Sequence, residues 1–190
     1  GAKYGITTTS GTAALHLACR ALGLGGKDEV ICPSLTFVAT VNSILYVDAR
    51  PIFADVAGLK DFNISVADIE KKISRNTKAI MVMHYAGYPC EMDRIRRLAH
   101  SHNLYVIEDA AHAIGAEFKG TKCGVWGDMG IFSFFSNKNM TTGEGGMVVT
   151  NKTSIANKIR LLRSHGMSKS TWDRFKGRAN TYDILDLGYN

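Results

Sequence analysis

A chain of 190 residues, 45% hydrophobic and 21% charged, can bury the core of one domain, and this composition excludes a disordered polypeptide. Its net charge of +6 admits an anionic partner. The basic residues, however, are split between Arg94, Arg96 and Arg97 on one predicted helix and a tail carrying Lys152, Lys158, Arg160, Arg163, Lys169, Arg174, Lys176 and Arg178, a distribution that argues against nucleic acid. The tail excess reads either as a solvated face or as a dock for a phosphorylated small molecule or a second subunit. No apolar run approaches bilayer length, and residues 1–10 lack the charged-then-apolar layout of a signal peptide, so the expected location is the cytoplasm, with no membrane partner. Cys19, Cys32, Cys90 and Cys123 form no C-x-x-C pair and are expected as reduced, mostly buried thiols.

In chain order, Thr7 to Thr12 precedes an apolar helical pattern (Ala13, Ala14, Leu15, Leu17, Ala18, Leu22) that Gly23, Gly25 and Gly26 stop. A hydroxyl-rich turn opening a helix caps it, and its free N–H groups also favour an anion. It matches neither the Walker loop nor G-x-G-x-x-G. Residues 28–33 predict a strand ended by proline, residues 34–46 a helix with Phe37 near its start, and residues 50–56 another strand. Ser65 and Asp68 give the capping pattern of the next helix. Residues 79–83 predict a buried strand that ends at the loop from His84 to Pro89, where open α/β sheets place function. A helix over 92–102 follows, on which His100 and His102 point in different directions and make a poor metal pair. Residues 103–112 read as a hydrophobic strand that delivers Glu108 and Asp109 to its C-terminal end, where an acid binds magnesium, pairs with a cation or holds the protonated nitrogen of a heterocycle; the pattern alone does not choose. A strand is predicted over 113–118, and a helix over about 154–164.

Between them lies the stretch that organises the chain. An apolar run, Ile131 to Phe135, feeds a polar loop carrying Lys138, and the loop closes on Thr141-Thr142-Gly143-Glu144-Gly145-Gly146 before a second β-branched run, Met147 to Thr150. Three glycines in four residues call for positive φ or a close approach of main chain. Lys138 is either a Schiff-base amine or a solvated loop cation. Alternating strands and helices, with no internal repeat, predict an α/β three-layer sandwich with a mostly parallel sheet. In such a sheet Ser10 to Thr12, His84, Asp109 and Ser133 to Lys138 fall at element ends that can converge on one edge.

Four motifs in the same order, Ser10-Gly11-Thr12-Ala13-Ala14-Leu15, Pro33-Ser34-Leu35-Thr36-Phe37-Val38-Ala39-Thr40, Glu108-Asp109-Ala110-Ala111-His112-Ala113 and Ser133 to Gly146, closely resemble the DegT/DnrJ/StrS sugar aminotransferases, fold type I pyridoxal phosphate enzymes. The resemblance implies that residues 1–190 are the cofactor-binding large domain, cut short at both ends and without the small C-terminal domain. It also implies roles. Lys138 matches the lysine that carries pyridoxal 5'-phosphate as a Schiff base and shuttles the proton. Asp109 matches the carboxylate on the pyridine nitrogen, Phe37 the ring-stacking aromatic, and His112 the residue near the ring oxygen. Gly11, Thr12 and Ala13 match the phosphate turn, which Ser133 joins. The implied reaction is ping-pong transfer of an amino group from a donor such as glutamate to a nucleotide-linked keto sugar, in a homodimer. Related dehydratases carry histidine in place of the lysine, so Lys138 argues for the transaminase. A non-catalytic binding module on the same scaffold, and a magnesium site at Glu108 and Asp109, are the other readings.

Overall fold

The computed structural model describes residues 1–169, 172, 175–177 and 180–190. Arg174 and Arg178 of the basic tail lie outside them. Seven strands form the central sheet: β1 (Tyr4–Thr8), β2 (Glu29–Pro33), β3 (Arg50–Ala54), β6 (Thr77–Met83), β7 (Tyr105–Asp109), β10 (Met129–Ser133) and β11 (Gly146–Thr150), in the spatial order β1-β11-β10-β7-β6-β2-β3. The five strands from β10 to β3 run parallel, and β11 is antiparallel to both β10 and β1. Two short hairpins, β4 (Val56–Gly58) with β5 (Asp61–Ile64) and β8 (Glu117–Phe118) with β9 (Thr121–Lys122), complete the β structure.

The period-2 alternation of the strands divides the core into two sides. Val30, Cys32, Ala79, Met81, Ile107, Ile131 and Val148 pack under α1 (Gly11–Ala21), α2 (Val38–Leu45) and α5 (Thr153–Leu162). Ile31, Ile80, Val82 and Val106 pack on the opposite face under α3 (Val66–Lys72) and α4 (Met92–Ser101). Because both faces are covered, β2 and β6 read as almost unbroken buried runs. The predicted three-layer sandwich with a mostly parallel sheet is the observed architecture. All four cysteines are free and buried, and burial pushes the Cys19 and Cys32 thiols up to about 12, leaving them unreactive. Among the described residues no helix is long and apolar enough to cross a membrane.

Local differences from the sequence expectations have identifiable causes. The helix expected from residue 34 begins at Val38, because Phe37 is its extended N-cap and the preceding turn carries no cap bond to start it earlier. The strand expected over 113–118 is a turn through Gly115, at φ +80°, leaving only Glu117 and Phe118 extended. The run ending at Phe135 leaves the sheet after Ser133, so Phe134 and Phe135 belong to the loop. Strand β1, for which no expectation existed, depends on its long-range partner β11.

The start of α1 is pressed onto the sheet. A Cβ at Gly146 would lie 2.4 Å from the carbonyl carbon and oxygen of Ser10, and one at Gly11 would lie 2.8 Å from Ser133 Cβ. Only glycine permits β11 and the mouth of α1 to meet this closely. Gly146→Ala is therefore expected to destabilise the fold by about 1–3 kcal/mol in denaturant unfolding. Gly25→Ala, with nothing within 4 Å of the added carbon, should stay within about 0.5 kcal/mol of the parent.

Candidate active site

At the C-terminal ends of β6, β7 and β10, and facing the N-termini of α1 and α2, lies a cleft of about 480 Å³. That is within the range of roughly 300–1,000 Å³ common for small-molecule sites. Its lining includes Gly11, Thr12, Phe37, Asp109, His112, Ser133 and Lys138.

Each group reaches the cleft for a local reason. Ser10 caps α1 by accepting from Ala13 N–H at 3.1 Å, and Ala14 N–H takes the Ser10 carbonyl. The first-turn N–H groups of Gly11 and Thr12 have no acceptor within the helix. They stand beside the Ser133 hydroxyl, which the missing Cβ at Gly11 brings close. Neutral donors grouped at a helix N-terminus in this way suit an anion and form a candidate cradle. Ala13, expected in the same cradle, has its N–H engaged by the cap and does not line the cleft.

Asp109, the last residue of β7, is only 4% exposed. Its Oδ2 accepts from the Thr40 hydroxyl at 2.9 Å and its Oδ1 from Ala111 N–H at 3.1 Å. Burial pushes its pKa up, against the opposing pull of these hydrogen bonds. Lys138 follows in the turn after β10, its N–H donating to the Phe135 carbonyl at 2.9 Å. At His112, burial first, and then the Lys138 ammonium, hold the imidazole below its usual range, while Asp109 pulls the other way. The imidazole is thus neutral near pH 7. Phe37, an N-cap residue, is 66% exposed and lays an aromatic flank along the opening.

His84 and Glu108 do not join the cleft. Adjacent residues of a strand face opposite sides, so Glu108 points away from Asp109 and is fully buried. It accepts from Gly124 N–H at 2.8 Å, Gly127 N–H at 2.6 Å and His84 Nε2 at 3.0 Å. Cys90 N–H donates to His84 Nδ1 at 3.1 Å, which fixes the proton on Nε2. These groups fasten loops beneath the sheet, and the expectation that His84 sits at the functional edge is corrected accordingly. The same geometry separates the two acids invoked for magnesium, and among the described residues no group of three metal-ligating side chains forms.

The sequence model of the DegT/DnrJ/EryC1/StrS aminotransferase family matches residues 1–190. The chain belongs to this family. It is 49% identical over 166 residues to a GDP-perosamine synthase of Escherichia coli O157:H7, covering 87% of this chain and 45% of that protein. Among solved structures, it superposes with a TM-score of 0.89 on the aminotransferase from Psychrobacter cryohalolentis, at 42% identity over 100% of this chain and 48% of that one. It superposes equally well, at a TM-score of 0.89 and 27% identity, on the PLP-form of a sugar aminotransferase from Streptococcus pneumoniae, over 100% of this chain and 51% of that one. The chain spans about half the length of the relatives it matches.

The raised pKa of Asp109 makes a prediction about the protein without ligand. The folded state holds the proton longer than the unfolded one, so the acid's contribution to stability is present below the ordinary value of about 3.9 and is lost as pH rises through the raised value. Asp109→Asn keeps an acceptor for Ala111, and the Thr40 hydroxyl can turn. The variant should be more stable than the parent at pH 7, by about 2–4 °C in melting temperature per kcal/mol relieved, and the gap should close towards pH 4 or below. A gap of opposite sign that does not vary with pH would contradict the assignment.

Proposed function

We propose that this chain is the cofactor-binding domain of an aminotransferase that uses pyridoxal 5'-phosphate to move an amino group from an amino acid such as glutamate to the keto group of a nucleotide-linked sugar. The observation that carries this reading is the convergence, in one cleft, of an anion cradle, a buried carboxylate, an aromatic flank and an amine. The names of the relatives support the cofactor and the substrate class, since one is a GDP-sugar enzyme and another was solved in its PLP-form.

The residues present fit the cofactor. The Gly11 and Thr12 N–H groups and the Ser133 hydroxyl would bind its phosphate, because the missing Cβ at Gly11 lets the Ser133 side chain stand against the first turn of α1. Asp109 lacks a cationic partner among the described residues and would accept the proton of the pyridine nitrogen. Phe37 would cover one face of the ring, and neutral His112 would donate to its oxygen. The bound group supplies an electron sink for the bond being broken at the donor's α-carbon. Lys138 would hold the group covalently through its amine and, as a free amine, would take the proton from the donor's α-carbon as a general base.

Phe37, Val38, Leu45 and Tyr46 are exposed along α2, whose N-terminal end faces the cleft, and a second copy of the chain covering them would give the homodimer. Reduction with borohydride after incubation with pyridoxal phosphate tests the central residue. The phosphopyridoxyl mass should appear on the peptide containing Lys138 and vanish in Lys138→Ala, which should also lose about 10²–10⁴-fold or more in transamination rate. Label on a different lysine, or undiminished label in the variant, would dispose of the assignment. Label on Lys138 without any transfer from glutamate would favour a binding module.

A further inference from the structure

A larger cleft, about 640 Å³, is lined by Arg96, His100, Trp126 and Lys152 at the opposite end of the sheet, but its Asp128 and Lys152 already pair with each other. A different feature carries further: the Thr40 hydroxyl that bonds to Asp109, and the Thr36 hydroxyl behind it. Thr40 is fully buried in the first turn of α2. A threonine within a helix ordinarily bonds back to the carbonyl four residues earlier. Here it turns outward, donating to Asp109 Oδ2 at 2.9 Å.

A hydroxyl has one proton and a carboxylate accepts only. With Thr40's proton committed to Asp109, the 2.7 Å contact between Thr36 Oγ1 and Thr40 Oγ1 has a single consistent direction: Thr36 donates and Thr40 accepts. The result is a polarised relay, Thr36 to Thr40 to Asp109, whose dipoles point at the carboxylate. Its anchor is the same turn that presents Phe37, since Thr40 N–H donates to the Phe37 carbonyl at 3.1 Å. The first turn of α2 therefore sets both the aromatic flank and the acid. Of the roughly four lone-pair positions on the carboxylate, the relay and Ala111 N–H fill two, one on each oxygen. The remainder are open to a ligand.

We propose that Thr40, oriented by Thr36, is a positioning residue that fixes the Asp109 carboxylate for a protonated ring nitrogen in the cleft. This rests on the pyridoxal phosphate reading of the site. A core threonine that merely satisfies its own hydroxyl would give the same two distances, so the test needs readouts that a packing role does not move. Thr40→Val keeps the shape and removes the relay. Thr40→Ser keeps the relay, and Thr36→Val removes only its outer half. Two quantities are measured: affinity for pyridoxal phosphate by absorbance titration, and stability of the ligand-free chain against pH.

Thr40→Val should weaken binding by about tenfold, equivalent to about 1.4 kcal/mol. Thr40→Ser should return to within about twofold of the parent, and Thr36→Val should fall between. In the ligand-free chain, losing the donor raises the Asp109 pKa further, so the pH at which stability is lost should move upward in Thr40→Val and not in Thr40→Ser. Should Thr40→Val fail to fold, the Thr36→Val and Thr40→Ser pair decides by the same two readouts. Equal affinity in all variants, with pH profiles merely offset in parallel, overturns the positioning role and leaves the site reading intact. A parent chain that does not bind pyridoxal phosphate at all defeats both; a shifted pH profile would then attest only the Thr40–Asp109 contact.

Discussion

A carboxylate placed at the end of a central strand, almost sealed from water and paired only with neutral donors, is the constraint on which the site depends. Asp109 has no ion-pair partner among the described residues, only the Thr40 hydroxyl and the Ala111 amide. An ion buried this way costs several kcal/mol unless a counter-charge arrives. The fold tolerates that cost because the surrounding β7 and β6 residues are packed on both sides of the sheet and cannot relax around it. A cationic ring nitrogen entering the cleft would supply what is missing. The acid is thus destabilising without ligand and favourable with one, the arrangement expected where binding energy is stored for chemistry.

The other groups are positioned by elements that meet around this acid. The parallel strands bring their C-terminal ends to one edge, and β11 returns antiparallel beside β10 so that its first residue, Gly146, backs onto the mouth of α1. That contact ties the anion cradle to the loop bearing Lys138, since the same loop joins β10 to β11. On the other side of the strand, Glu108 takes three donors and ties the segment from Gly124 to Gly127 and His84 beneath the sheet. Two consecutive acids therefore have separate duties, one facing the cleft and one holding the scaffold.

Much of this was legible in the sequence, for physical reasons that differ by residue. The Ser10 cap, the glycines around the start of β11 and the hydrophobic strand carrying Asp109 are local signals, and each is present in the structure, although the strand expected over 103–112 ends at Asp109. Phe37, Asp109, His112, Ser133 and Lys138 share a cleft because a parallel sheet collects strand ends, which alternation of strand and helix already implies. What escaped was non-local or unmarked. Strand β1 is short and half exposed, and its partner lies at the far end of the chain. The first turn of α2 has no side-chain cap to announce it, so the sequence pattern places the helix start four residues before Val38. Nothing local marks Thr40, because its partner Asp109 lies on a distant strand. His84 drew attention through its loop, but a period-2 argument applied to Glu108 would have placed its partner under the sheet.

The most direct measurement follows the ionisation of Asp109 itself, by carboxyl carbon NMR in a chain labelled at aspartate, with and without pyridoxal phosphate. Without ligand the resonance should titrate above the ordinary aspartate range. With ligand bound, the ring nitrogen's charge should drive the midpoint down so that the carboxylate stays ionised throughout the neutral and mildly acidic range. A midpoint that does not move on binding would mean that the buried acid and the ring never meet, and the account of the cleft would fail.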